Sequence, residues 1–173
     1  VASKLARIRE EMKEAGTNVH VVSTIDDICW TLNIRGNDID FFPLVLSYGI
    51  ITMDSFELYI DEKKLDDKLK AKLAKDGVNL HPYNDIYEDV KKFGSDVVAM
   101  IDPGKLNYAL FNNIPENVKT VEKRNPAILM KAIKNPVEIE NIRKAQIKDS
   151  VAHVRFMKWL KENVGKMRIT EMS

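Results

Sequence analysis

One short stretch, residues 28–41, concentrates the side chains that could do chemistry. Its sequence, ICWTLNIRGNDIDF, contains a thiol at Cys29, a guanidinium at Arg35 and two carboxylates at Asp38 and Asp40. A thiolate is a nucleophile, and paired carboxylates bind hard divalent cations such as manganese or magnesium. This stretch is therefore the first candidate for an active site.

Cys29 is the only cysteine of the chain, and it sits between Ile28 and Trp30 with no basic residue close in sequence. A catalytic thiolate needs such a neighbour to lower its pKa. We therefore interpret Cys29 as a buried, unreactive thiol. A single cysteine also cannot form an intramolecular disulfide, which favours a reducing compartment.

Asp38 and Asp40 are separated by one residue, so in an extended strand both carboxylates would point to the same face and could bind a cation. Two carboxylates rarely hold a metal without further ligands, and none is identifiable nearby. The histidines, His20, His81 and His153, lie far apart and form no HxH or HExxH motif. The sequence thus predicts no metal site and no catalytic residue in this chain.

Several residues have structural interpretations. His20 falls in a predicted strand, at the core or its rim, and His153 falls on the apolar side of a long predicted helix, where we expect it to pack. The aromatic residues of the central stretch are expected in the core rather than around a ligand. They are Trp30, Phe41, Phe42 and Tyr48.

Arg35 leaves two interpretations open, because it lies in a helix-to-strand connection just before Asp38. In the first, a buried Arg–Asp pair fastens the connection. In the second, Arg35 is exposed on the loop and reaches a neighbouring site.

Composition excludes several classes of partner. The 173 residues carry a net charge of +1, with 45% hydrophobic and 31% charged residues. That balance is typical of a soluble domain and gives no electrostatic reason to expect nucleic acid or an anionic membrane. No apolar run approaches the roughly 20 residues of a membrane span, and the first residues form an amphipathic helix rather than a signal peptide. We expect a soluble, cytoplasmic protein.

Apolar periodicity predicts helices that alternate with short strands. A first helix carries Leu5, Ile8 and Met12, and a strand follows at residues 19–22. A second helix has Thr24 as its N-cap, with Asp27 in a capping-box-like position, and ends near Gly36. The runs LVLSYGIIT and FELYI predict a hairpin.

The predicted elements after this hairpin are helices at about residues 61–75 and 84–93, strands at VNLH, DVVAMID and VKTVEK, and a short helix within PGKLNYALFNNI. This alternation is typical of an α/β fold with a parallel or mixed sheet.

The last quarter of the chain differs. Asn135, followed by Pro136 and by Glu138, predicts a capping box at the start of one helix that runs to about Val164. Thr170 has the appearance of the cap of a further helix. We therefore divide the chain into a domain at residues 1–133 and the beginning of another at 134–173. The long helix carries apolar residues on one side, which predicts that this side packs against a large apolar surface. They are Ile139, Ile142, Val154, Met157, Leu160 and Val164.

Two segments resemble a known family. IDDICWTLNIRGNDIDFFPLVLSYGIIT is similar to LDxIxWLLNLRGxDIPxNPVxxSYxII of the three-domain Xaa-Pro aminopeptidases (aminopeptidase P). The ending NPVEIENIRKAQIKDSVAHVRFMKWLKENV…TEMS resembles the helix that opens their catalytic, pita-bread domain. Gln146 and Ser150 depart from the histidine and glycine that are usual there, but neither position is a metal ligand in the family.

The resemblance implies a creatinase N-terminal-like (ribonuclease H-like) fold. In this fold a mixed sheet of about six strands has helices on both faces, and here a long helix would follow it. In the three-domain enzymes this would be the middle domain, without catalytic residues. The family cleaves the bond between an N-terminal residue and a following proline, using two divalent metals, commonly manganese. All of those ligands lie in the catalytic domain, so none is carried over to this chain.

The resemblance also implies partners: the catalytic domain, a second subunit in a homodimer, and proline-containing peptides. In relatives such domains roof the active-site cleft. The loop with Arg35, Asp38 and Asp40 would then be a lip that limits substrate length. The alternatives are a prolidase or creatinase-type hydrolase on the same scaffold, or a metal-free peptidase-like module that acts in binding or as a chaperone.

Overall fold

The computed structural model describes residues 1–172, which form two compact units. The first unit is Val1–Ala132 and the second begins at Ile133. Among the described residues, no helix combines the length and the apolar character needed to cross a bilayer.

The first unit is built on one mixed sheet with the strand order β4-β3-β2-β1-β5-β6. Strands β1, β2 and β3 are antiparallel neighbours, and β4, β5 and β6 join in parallel. The strands are β1 Val19–Val22, β2 Ser47–Thr52, β3 Phe56–Ile60, β4 Val78–His81, β5 Val98–Ile101 and β6 Lys119–Glu122. The predicted mixed sheet of six strands is confirmed, including the hairpin between β2 and β3.

Successive residues of a strand point to opposite sides of the sheet, and helices cover both of these sides. Val22 and Ile51 pack in a core with α1, α2, α3 and α6, whereas their neighbours Val21 and Ile50 pack in a second core with α4 and α5. The helices are α1 Ala2–Glu14, α2 Ile25–Leu32, α3 Asp67–Lys75, α4 Ile86–Asp89, α5 Tyr108–Asn113 and α6 Pro126–Ala132.

Several helices are shorter than the sequence predicts. Helix α2 ends at Leu32 rather than near Gly36, because Asn33 adopts the left-handed conformation at φ 54° and terminates it. The predicted helix at 61–75 is a short 3-10 turn at Glu62–Lys64 followed by α3. The one at 84–93 is α4 followed by a 3-10 turn at Val90–Lys92.

The second unit contains one long helix, α7, at Pro136–Asn163. Its predicted capping box is confirmed: Asn135 Oδ1 accepts from the Glu138 N–H, and the Glu138 carboxylate accepts from the Asn135 N–H, both at 2.9 Å. No residue of α7 is buried. Thr170 begins no helix within the described residues; its Oγ1 accepts from the Met172 N–H at 3.3 Å.

Candidate functional site

The predicted lip residues lie in one loop, residues 33–46, which connects α2 to β2. Its two sides pair through the Gly36 N–H to Pro43 O at 3.4 Å and the Asp38 N–H to Leu44 O at 3.1 Å. At Gly36 a Cβ atom would lie 2.7 Å from Val45 Cβ. Only glycine allows the two sides to approach this closely.

Asp38 fastens this loop to the neighbouring segment. Its Oδ2 accepts from the Leu46 N–H at 2.8 Å and from Lys64 Nζ at 2.6 Å. The hydrogen bond from Lys64, followed by that from Leu46, holds the pKa of the Asp38 carboxyl below its ordinary value. The Asp38 side chain is 15% exposed, so its carboxylate acts as a structural anchor.

Arg35 is not the partner of Asp38, and the predicted Arg–Asp pair is wrong. Its Nη1 donates to Cys29 O at 3.0 Å and to Ile34 O at 2.7 Å. It thereby adds a side-chain donor to the Cys29 carbonyl, which also accepts from the Ile34 N–H at 3.0 Å. The residue as a whole is exposed. That it reaches a neighbouring site stays a prediction.

Asp38 and Asp40 are not arranged as an extended cation-binding pair. Residues 39–42 form a tight turn closed by the Phe42 N–H to Ile39 O at 3.2 Å, and Asp40 lies exposed within it. Throughout residues 1–172, no group of three or more histidine, cysteine, aspartate or glutamate side chains is placed to hold a metal ion.

The expectation that Phe41 and Phe42 belong to the core is wrong. Phe41 is 102% exposed and Phe42 is 61% exposed, and Phe41 adopts φ 67°. Trp30 and Tyr48 are half-buried. The turn at residues 39–42 therefore exposes two aromatic side chains beside the exposed Asp40.

Cys29 is buried as predicted, at 1% exposure. Burial raises the pKa of its thiol, and its Sγ faces Val45 O at 4.0 Å. A buried thiol with a raised pKa is a poor nucleophile, so Cys29 belongs to the packing of the loop base.

A buried polar network was missed by the sequence interpretation. Asp27, at 2% exposure, accepts from Asn125 Nδ2 at 3.0 Å, from Lys131 Nζ at 2.7 Å and from Thr24 Oγ1 at 2.6 Å. Thr24 precedes α2 but its side chain caps no backbone N–H. Thr24 is the N-cap residue as predicted, but no capping box forms. The Asp27 carboxylate bonds to the Thr24 hydroxyl and to Asn125 and Lys131 rather than to a backbone N–H.

The histidines differ in their environments. His20 is buried, with Nδ1 3.0 Å from Met100 O and Nε2 3.3 Å from Asn125 Oδ1. Burial holds its pKa below the ordinary value in spite of these bonds. His153 is exposed on α7, so the expectation that it is packed is not met within the described residues.

The mixed six-stranded sheet with helices on both faces defines an α/β domain. A family model described as the creatinase/prolidase N-terminal domain matches residues 1–138, and the chain belongs to this family. The resemblance inferred from the two sequence segments is thereby confirmed at the level of the family.

Xaa-Pro aminopeptidase 1 of Dictyostelium discoideum is 40% identical over 164 residues, which are 93% of this chain and 25% of that protein. The X-prolyl aminopeptidase of Caenorhabditis elegans, described as a cytosolic enzyme with a di-nuclear active site, has a TM-score of 0.85 and 31% identity. The match covers 99% of this chain and 29% of that one. The chain thus spans about a quarter of the length of the curated relatives it matches.

A more distant likeness concerns the fold alone. The prolidase of Pyrococcus horikoshii OT3 has a TM-score of 0.58 and 22% identity, and the match covers 87% of this chain and 41% of that one. The same sheet and helices therefore occur in a prolidase as well as in an X-prolyl aminopeptidase.

Proposed function

We propose that residues 1–133 are the non-catalytic domain of an Xaa-Pro aminopeptidase-like metallopeptidase and that residues 134–173 begin its catalytic domain. The parent enzyme would remove an N-terminal residue that precedes proline. One observation carries this proposal: an X-prolyl aminopeptidase shares the fold over 99% of the chain at 31% identity. The prolidase likeness is one of fold and gives no comparable support to that alternative.

The residues described do not fit a two-metal centre. The carboxylates of Asp27 and Asp38 are bonded to Lys131 and Lys64, and both ring nitrogens of His20 have partners. We therefore assign no chemical step to this chain. The two divalent metals, which we propose to be manganese, would be held by residues outside it, consistent with the di-nuclear site of the Caenorhabditis elegans enzyme.

We infer that the loop 33–46 acts as a lip over the substrate cleft. Arg35 and Asp40 are its exposed charged residues, and Asp38 holds the loop in place through Lys64 and Leu46. A loop with a rigid base and exposed side chains can contact a bound peptide without taking part in bond cleavage. This assigns binding roles to Arg35 and Asp40 and a positioning role to Asp38.

The proposed partners follow from the proposed role of this chain as the non-catalytic domain beside the substrate cleft. They are the catalytic domain, proline-containing peptides and a second subunit in a homodimer, with the cytoplasm as the compartment. The helix α7 supports the first partner, because apolar side chains such as Ile147 and Val154 are 68% and 66% exposed on it. Apolar surface of this kind is normally covered by further structure.

Substrate choice tests the proposed activity. The full-length enzyme is expected to cleave peptides that begin Xaa-Pro and to leave matched peptides that begin Xaa-Ala intact. Cleavage of Xaa-Pro dipeptides alone would point to a prolidase, and equal cleavage of both series would refute the proposal. Light scattering on the same preparation measures whether the enzyme is a dimer.

A further inference from the structure

The turn at residues 39–42 carries two adjacent phenylalanine side chains on the outside of the first unit, here called the Phe tip (Phe41 and Phe42). Phe41 is 102% exposed and Phe42 is 61% exposed. The turn is closed by the Phe42 N–H to Ile39 O at 3.2 Å and the Leu44 N–H to Phe42 O at 2.8 Å. Both rings are therefore presented by an internally bonded backbone.

This presentation is unfavourable to folding in two respects. Phe41 adopts φ 67°, a left-handed conformation that is uncommon for residues other than glycine and is costly for a bulky side chain. The two rings also leave apolar surface in water, which folding otherwise removes. A residue held against both tendencies is a candidate for function.

The size of the tip indicates what it can bind. Two phenylalanine side chains offer roughly 300–500 Å² of apolar surface. A stable interface between folded proteins needs about 800 Å² from each partner. The tip alone is thus too small for a folded partner, but it suits one or two side chains of an extended peptide.

The charges around the tip further limit which peptide side chains it can bind. Arg35 bonds to the Cys29 and Ile34 carbonyls, and Lys64 bonds to Asp38. Asp40, immediately before Phe41, is exposed and forms no ion pair among the described residues. An acidic side chain placed directly beside Asp40 would be repelled, whereas an apolar side chain against the two rings meets no such repulsion.

We propose that the Phe tip binds an apolar side chain of the peptide substrate on the C-terminal side of its proline. This inference rests on the proposed function and adds a specificity determinant to it. Phe41 and Phe42 take no part in bond cleavage; they favour substrates by removing apolar surface from water. The preference would be set by the residue that reaches the lip, not by the residues at the scissile bond.

A pair of peptide series tests this on the full-length enzyme. Both begin Gly-Pro, continue with a variable number of glycines, and then carry either phenylalanine or glutamine. The measured quantity is the ratio of kcat/KM for the phenylalanine peptide to that for the glutamine peptide. At the best spacing the wild type is expected to give a ratio of about 10, the gain from removing one apolar side chain from water.

Substitutions test whether the preference for phenylalanine peptides comes from the tip or from another part of the chain. Phe41→Ala with Phe42→Ala is expected to bring the ratio close to about 1, and Phe41→Leu with Phe42→Leu to retain most of it, since leucine buries similar apolar area. Leu129→Ala, at a residue 69% exposed on α6, is the matched control and should keep the wild-type ratio. A wild-type ratio near 1 at every spacing, or an undiminished ratio in the alanine double variant, would overturn the proposal.

An equilibrium binding measurement tests the role of the tip independently of the proposed cleavage activity. Fluorescence anisotropy of labelled versions of the same peptides reports the phenylalanine preference without cleavage. An enzyme that binds phenylalanine peptides through the tip but cleaves no Xaa-Pro bond would refute the proposed activity alone. Cleavage of Xaa-Pro peptides with equal binding of both series would refute the role of the tip alone.

Discussion

Lys131 donates from Nζ to Asp27 Oδ1 at 2.7 Å, and the Asp27 side chain is only 3% exposed. Lys131 also bonds to the carboxylate of Asp26. Burial alone would lower the pKa of the Lys131 ammonium, but its bonds to Asp26 and Asp27 outweigh burial and raise it. This ion pair joins α6 to α2.

Lys131→Met is therefore expected to lower the free energy of unfolding by about 2–3 kcal/mol, because it leaves the Asp27 carboxylate buried without its cation. Lys131 is itself 28% exposed, which keeps the loss below the roughly 3–5 kcal/mol expected for a fully buried pair. Urea denaturation measures it. Lys91→Met is the control, because its partner Glu88 is 67% exposed and such pairs contribute under about 1 kcal/mol. Equal losses in the two variants would contradict the buried-pair account.

His20 makes stability depend on pH. Its pKa in the folded chain lies below the ordinary value of 6.5, so the unfolded chain takes up a proton first as the pH falls. The contribution to stability is complete above pH 6.5 and is lost as the pH falls below that value. Within that window, each pH unit lowers the free energy of unfolding by up to about 1.4 kcal/mol per histidine.

His20→Gln should remove this part of the pH dependence. The free energy of unfolding is measured at a pH near neutrality and again about one unit below the ordinary histidine pKa. The drop in the wild type is expected to exceed that in the variant by about 1 kcal/mol. His81 and His153 are present in both proteins, so their effects cancel. Identical drops would mean that folding leaves the pKa of His20 unchanged, which would contradict its lowered pKa in the folded chain.

Phe41→Gly is expected to stabilise the chain. Glycine adopts the left-handed conformation of residue 41 without strain, and the fully exposed ring contributes no burial that could be lost. The gain should be about 1 kcal/mol in urea denaturation. Phe42→Gly is the matched control and should not stabilise, because Phe42 has no positive φ to relieve. A destabilised Phe41→Gly variant would show that the ring has contacts that support the loop.

Arg35→Ala tests the lip in the full-length enzyme. Removing a charged donor from a binding surface costs about 1.5–3 kcal/mol, so KM for longer Xaa-Pro peptides is expected to rise roughly tenfold or more. Metal content, measured by elemental analysis, should stay the same. Arg124→Ala, at an exposed arginine outside the loop, is the control and should leave KM unchanged. Unchanged kinetics for long peptides in Arg35→Ala would remove Arg35 from the lip.

The sequence predicts those features of the structure that depend on interactions between residues close together in the chain. The start of α7 follows from Asn135 and Glu138, which are three residues apart and bond to each other. The inner strands β1, β2, β3 and β5 follow from short apolar runs, because strands covered on both faces are mostly apolar. The family follows from the segments around Arg35 and α7.

Contacts between distant segments could not be predicted in the same way. Lys131 and Asp27 are 104 positions apart, and only the packing of α6 on α2 brings them together. From the sequence alone, Asp27 is therefore expected to act as a local cap. Phe41 and Phe42 were expected in the core because apolar residues usually are, whereas the turn at residues 39–42 directs them outward. Exposure depends on the turn geometry, which composition does not specify.

We propose that this chain supports catalysis without performing it. The most direct test is hydrolysis of a Gly-Pro peptide with added manganese, by residues 1–173 and by the full-length enzyme at equal concentration. We predict cleavage by the full-length enzyme alone. Cleavage by residues 1–173 would contradict the claim and would mean that side chains such as Asp38, Asp40 and the histidines form a catalytic site.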